Sequence, residues 1–427
     1  MLRRLVPLIV ALTASLVPSG VLASNCAGIS TGRVPLTDLG AGLYQGYQGG
    51  LYSGGSNVRP AAHDAAGIAI ANAIAPLDTF GVADPTGKVV VISIGMSNAT
   101  QEFSTFVPIA MNDPLKKANV MTIDCALGGQ TAALIKNPTY AYWDTVKTRL
   151  RGRRSSPAQV QVAWIKEADA GPTSGFPAAT TTLSLEIGSI VRILKSQFPN
   201  IGLAYLSSRT YAGYASTTLN PEPYAYESAF AVKWLIEAQV SGVDSLEYDA
   251  AHGPVESPWL SWGPYLWADG TTPRGGDGLT WACADFVTSD GTHPAASGRT
   301  KVANLLRDFF RTDATTRPWY RDETASVPPL APAVTGAQLA ITPNPAVGEV
   351  EISFSMPRGE HWRLSVLDPG GRRVRDLGSG IGDGTTIERR WDARDQAGVH
   401  ARAGVYWVRL TGPRGSVVRR LALVRGS

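Results

Sequence analysis

Three features of this 427-residue sequence predict an α/β domain with a doubly wound parallel sheet, followed by a smaller all-β sandwich. Continuous apolar, β-branched runs of strand length recur through the first half of the chain. Helix-length amphipathic segments separate them, as alternating strand and helix require. Beyond a Pro-rich stretch the pattern changes to short strands spaced by Gly and Asp turns.

The elements follow in chain order. Arg3 and Arg4 precede an apolar run over 5–17, and Val21-Leu22-Ala23 suits a cleavage site. The run is broken by Pro7 and Pro18 and is too short to span a bilayer. Residues 1–23 are therefore expected to be a bacterial-type signal peptide, and the protein to be secreted or at the cell surface. Residues 24–87 are rich in Gly, Tyr and Ser, with a helix-like stretch at 61–75. The run 88–94 (KVVVISI) suits a strand buried on both faces, and similar runs follow at 119–123, 159–165 and 201–206. Helices are clearest at 139–150, 178–197 and 224–240, and a last one, 294–311, carries Leu305, Leu306, Phe309 and Phe310 on one stripe. The domain is read as 24–312 and the linker, with Pro328, Pro329 and Pro332, as 313–337. Residues 338–427 form the sandwich, with strands expected at 349–354, 362–367, 372–377, 386–391, 405–410 and 417–424.

Composition narrows the function classes. With 44% hydrophobic and 17% charged residues the chain is globular rather than disordered. A net charge of +4 gives no reason to expect nucleic acid or an anionic membrane as partner. The all-Arg basic complement beyond residue 338 reads as a solvated surface. No His/Cys/carboxylate spacing suggests a metal, and no phosphate loop or dinucleotide fingerprint suggests a cofactor. Export permits disulfides, and three Cys leave one unpaired. Cys125 and Cys283 are either neighbours or two separate buried thiols.

Ligands of open α/β sheets bind at the carboxyl ends of the strands, so chemistry is sought there. The first strand runs into Gly95-Met96-Ser97-Asn98. A serine on such a turn exposes its Oγ beside backbone N–H groups of the following helix, although most serines there are helix caps. Asp290-Gly291-Thr292-His293-Pro294 stands before the last helix. At this spacing Asp290 can accept the Nδ1 proton of His293 and leave Nε2 to take the serine proton. Asp249 and His252 repeat the spacing, but no helix follows at once. His63, His361 and His400 are expected at the surface. Arg209 and Tyr211, after the fourth strand, are candidate substrate-binding residues, as is Asn98. Trp259, Trp262, Tyr265 and Trp267 form either a sugar-stacking wall or a self-packed loop.

Ser97 with Asp290 and His293 resembles the SGNH (GDSL-like) hydrolase family over about 85–312. Gly-x-Ser-Asn is similar to the branch that includes sialate and xylan acetyl esterases, with Met96 where that branch has Gln. The resemblance implies a flavodoxin-like strand order and a serine esterase acting through an acyl-enzyme, on acetyl esters of carbohydrate. Its oxyanion donors would be the N–H groups of Ser97 and Gly129. The family's third block has an Asn or Gln donor that Trp164–Asp169 lacks, and Lys166 stands there as a substitute. Ile341-Thr342-Pro343-Asn344-Pro345, Trp391-Asp392 and Ala403-Gly404-Val405-Tyr406 resemble the Ig-like domain of flagellar hook-capping proteins. That resemblance implies a non-catalytic module contacting the cell surface or secretion machinery. Two other readings stay open. One is an α/β-hydrolase, because Gly95-x-Ser97-x-Ala99 approximates a nucleophile elbow. The other is a catalytically weak carbohydrate-binding or surface protein.

Overall fold

The computed structural model describes residues 23–323, 339–368, 373–413 and 415–424. The expected signal peptide, Ala23 apart, and the linker prolines lie outside the described residues. The chain divides into two compact units, Met1–Asp322 and Glu323–Ser427.

In the first unit, α1 is Ala61–Ala73, β1 Val89–Gly95, α2 Ser97–Met111, β2 Val120–Ile123, α3 Ala132–Ile135 and α4 Tyr142–Gly152. Then come β3 Val160–Lys166, α5 Ala178–Gln197, β4 Leu203–Leu206, α6 Tyr224–Val240, β5 Trp259–Trp262, α7 Ala296–Thr312 and α8 Arg317–Tyr320. The five strands form one sheet in the order β2-β1-β3-β4-β5, and every pairing is parallel. This is the doubly wound order in which ligands sit where the winding reverses, here beside β1. All seven residues of β1 and all seven of β3 are buried, which explains their largely apolar runs. α7 packs on α2 and α8, and α8 on α1, while α5 packs on α6.

Three sequence expectations need correction here. The fifth strand falls within the aromatic-rich segment: Trp259, Trp262, Tyr265 and Trp267 are all buried. Their indole N–H groups go to protein acceptors, Trp259 to the His63 carbonyl, Trp262 to that of Leu51 and Trp267 to Glu222. They are core, with no face left for a sugar. His63 is likewise buried, stacked on Trp259 and bonded to the Leu260 carbonyl. Residues 313–322, assigned to the linker, belong to the first unit: Asp313 pairs with Arg59, Tyr205 donates to the Thr315 carbonyl, and Trp319 is buried.

Cys26 is bonded to Cys283, and Cys125 is free and buried. The bridge fastens the start of the unit to the segment just before the last helix. Burial pushes the Cys125 thiol up to about 12.

The second unit contains β6 Leu339–Thr342, β7 Val350–Ser355, β8 His361–Leu367, β9 Arg373–Ile381, β10 Thr386–Trp391, β11 Gly404–Gly412 and β12 Gly415–Leu423. They make two antiparallel sheets, β9-β8-β11-β12 and β10-β7-β6. Strand β7 alternates buried and half-buried residues, so one face turns to a core that includes Ile352, Leu364, Trp391 and Val408. Among the described residues no helix is long and apolar enough to cross a membrane.

Candidate active site

The carboxyl ends of β1, β2 and β3 and the loop before α7 meet at one place. β1 ends at Gly95, whose φ of +154° accompanies close approach to its neighbour: a Cβ there would lie 2.4 Å from the Lys166 carbonyl oxygen. No other residue type fits. The chain then turns into α2, so Ser97 is the first residue of a 15-residue helix that has no side-chain cap. The uncapped N-terminus leaves its first N–H groups without helical acceptors and carries the positive end of the helix dipole.

The loop before α7 brings its charges to the same point. Ser97 Oγ lies 2.8 Å from His293 Nε2, and His293 Nδ1 lies 2.8 Å from Asp290 Oδ2. The second oxygen of Asp290 accepts the backbone N–H groups of Thr292 (2.7 Å) and His293 (2.9 Å). Burial opposes ionisation of Asp290, but those two N–H bonds and the His293 ring hold its carboxyl below the usual range. It is thus an anion at neutral pH and fixes the tautomer that leaves Nε2 as acceptor. The turn is possible because Gly291 has φ +62°, and its Cβ would lie 1.9 Å from the Tyr214 carbonyl oxygen. Ser24 N–H donates to the Thr288 carbonyl and Ser216 N–H to that of Asp290, so the loop is tied on two sides.

Asn98 was a substrate-binding candidate, but it is buried, and its Nδ2 donates to the Thr292 carbonyl at 2.8 Å. It joins the serine turn to the Asp–His turn, and so positions rather than binds. Arg209 and Tyr211 are both buried. Tyr211 donates to the Gly28 carbonyl at 2.6 Å, whereas Arg209 Nε has no hydrogen-bond partner and stays a candidate.

Lys166 is the clearest departure. It and Glu102, on α2, are both wholly buried and paired at 2.5 Å and 2.6 Å. Burial lowers Lys166 to about 8, and the Glu102 charge works against that. An ammonium that spends two of its three protons on a carboxylate beneath α2, with no exposed side-chain surface, is not placed to meet an oxyanion, so Lys166 is not the missing donor.

The loop after β2 approaches Ser97 from the opposite side. A Cβ on Gly128 would be 3.6 Å from Ser97 Cβ, whereas one on Gly129 (φ +77°) meets nothing within 4 Å. Gly128 is therefore the residue of this loop beside the serine, with Gly129 in the left-handed turn after it. Ser93 and Asp124 pin the loop: Ser93 Oγ donates to Asp124 Oδ1 at 2.6 Å and accepts from Cys125 N at 2.9 Å. Arg149 donates to the Asp124 and Ala126 carbonyls. Gly128, Asp124 and Arg149 were not singled out from sequence, because only the fold brings them together.

Asp249 and His252 lie 3.9 Å apart with side chains 45% and 70% exposed, so that pair is a surface feature. Among the described residues no group of three or more His, Cys, Asp or Glu could hold a metal.

No family model matches the chain, and no curated protein matches it. Solved structures with some likeness include the salicylyl-acyltransferase SsfX3 from a tetracycline biosynthetic pathway (15% identity, 53% of this chain and 55% of that one, TM-score 0.28). The periplasmic domain of a lipopolysaccharide acetyltransferase from Salmonella ser. Paratyphi A is another (14%, 52% and 83%, TM-score 0.27). FlgD from P. aeruginosa shares 18% identity over 21% of this chain and 68% of its own, with TM-score 0.14. The chain spans less than two thirds of the length of SsfX3 and of the first two structures matched.

Proposed function

We propose that this protein is an exported serine esterase of the SGNH type that hydrolyses carboxylic esters, with acetyl groups on carbohydrate as its substrate class. The observation that carries the reading is the unbroken relay Ser97 Oγ–His293–Asp290, with 2.8 Å at each step, at an uncapped helix N-terminus. In this reading His293 Nε2 takes the hydroxyl proton as Ser97 Oγ bonds to the ester carbonyl carbon. The developing oxyanion is met by backbone N–H groups of the serine turn and of the loop at Gly128 and Gly129. Collapse breaks the bond to the alcohol oxygen, which leaves with the proton from His293. Water, deprotonated by His293, then releases the acid and restores Ser97.

The parallel order 2-1-3-4-5, with the serine after β1, the first strand of the sheet in the chain, and its acid–base pair on one turn, favours this reading over an α/β-hydrolase elbow. Residues 1–23 are proposed to be the signal peptide, and the second unit an Ig-like accessory module for surface or secretion contacts. The test is p-nitrophenyl acetate turnover by the purified protein against its Ser97→Ala variant. Turnover by the wild type that the variant lacks supports the esterase. Equal background rates leave the non-enzymatic carbohydrate-binding reading in its place.

A further inference from the structure

The strongest feature outside the triad is a recess of about 130 Å³ between α5, α6 and the loops after β3 and β4. Asp169, Thr180, Asn220, Tyr224, Glu227 and Ser228 are among its lining residues, and no Lys or Arg lines it.

Two of these residues hold acceptors with no partner. Asn220 and Glu227 are each only 2% exposed. Asn220 Nδ2 donates to the Asp169 carbonyl, but its Oδ1 has no hydrogen bond. Glu227 Oε1 accepts from Tyr44 at 2.7 Å, while Oε2 has none. Buried acceptors without donors are costly, and two on one recess point to a ligand that brings hydroxyl donors.

An aromatic surface borders the recess. Tyr44, bonded to Glu227, packs edge-on to Phe176 at 5.2 Å. Phe176 in turn lies 5.0 Å from Tyr47 and 5.7 Å from Trp234. Tyr47 is 39% exposed, and Phe176 and Trp234 are half-buried. Acceptors beside a partly exposed aromatic cluster suit a sugar, which offers hydroxyls at its rim and C–H bonds on its faces.

The recess joins the triad through short links. Gly171 N–H donates to the Thr218 carbonyl at 2.8 Å, and Thr217 Oγ1 lies 3.3 Å from Oγ1 of Thr292, the residue between Gly291 and His293. Ala133 N–H donates to Asp169 at 3.0 Å, from the helix that follows the Gly128–Gly129 loop.

We infer that this recess and its aromatic border are a subsite for a neutral glycan, holding a sugar next to the one whose ester lies over Ser97. The assignment rests on the esterase reading for its purpose, but its test does not require turnover. Full-length Ser97→Ala protein is titrated calorimetrically with xylohexaose, cellohexaose and choline. Glu227→Gln and Tyr47→Ala are then added separately in that background, with exposed Phe80→Ala as control and thermal melting to verify folding. With Tyr44 on Oε1, the Gln amide presents N–H where Oε2 was, reversing the hydrogen-bond pattern. The expected result is binding of at least one hexaose, weakened roughly tenfold by Glu227→Gln and by Tyr47→Ala and unchanged by Phe80→Ala. The inference is overturned if neither hexaose binds at up to roughly 10 mM. It is also overturned if folded Glu227→Gln and Tyr47→Ala proteins both bind as the parent does, or if choline alone binds. Loss of p-nitrophenyl acetate turnover in the wild type would remove the esterase reading while leaving this titration interpretable.

Discussion

Replacing Lys166 by Met separates two roles that the sequence allows for it. Were Lys166 an oxyanion donor, its loss would cost about two orders of magnitude in kcat, with KM little changed. The structure puts it wholly buried against Glu102, so its loss strands a carboxylate in the interior. Breaking a buried pair on one side costs about 3–5 kcal/mol. At roughly 2 °C per kcal/mol for a unit of this size, melting should fall by about 6–10 °C. Met fills most of the Lys volume, so cavity formation adds little. The double change Lys166→Met with Glu102→Leu should recover much of the loss, because replacing both partners by apolar groups is often neutral. The assay is thermal unfolding by circular dichroism beside kcat and KM at a temperature where every variant is folded. A kcat loss near a hundredfold with unchanged melting would refute the argument and restore Lys166 as a donor.

Four further outcomes follow from the geometry. Asp290→Asn should lower kcat by about 10⁴, because His293 loses the partner that holds its tautomer. Asp290 titrates below its usual range when folded. Its stabilisation is therefore present above the unfolded value near 3.9 and is lost as pH falls through the folded one, so acid unfolding curves of wild type and variant should converge at the lowest pH. Cys125, buried with its thiol pushed up to about 12, should resist iodoacetamide at pH near 8 in native protein and react once per chain after unfolding without reductant, as mass spectrometry would show. Deleting the second unit after Asp322 should leave p-nitrophenyl acetate turnover within about twofold, since the first unit has its own core. A folded, inactive truncation would show that the second unit contributes to the site.

What the sequence makes legible here is what depends on local pattern. The β1 run is apolar but for Ser93 because both its faces are covered, and helices α5 and α6 span the residues their periodicity indicates. Asp290 and His293 are three residues apart on one turn, so their pairing needs no long-range information. β5 was missed because Trp-Leu-Ser-Trp is short and lies in an aromatic-rich stretch that resembles a loop. Lys166 read as a substitute oxyanion donor because Glu102 lies 64 residues away and reaches it only when β1 and β3 pair with Gly95 beside Lys166. Gly128 and Gly129 are adjacent in the sequence, and only the loop path decides which faces the serine. Cys26 gives no local sign of its partner 257 residues on. The unpaired acceptors Glu227 and Asn220 belong to α6 and to the loop before it, and only the fold brings them to one recess.

The account stands most directly on Ser97 becoming acylated. Wild-type protein mixed with p-nitrophenyl acetate, quenched in acid within the first turnovers and digested, should yield the peptide containing Ser97 with one added acetyl group. The same peptide from Asp290→Asn protein should acetylate far more slowly, and Ser97→Ala protein should carry no acetyl group there. Sustained turnover with Ser97 unmodified, or with the acetyl group accumulating on a different residue, would contradict the account.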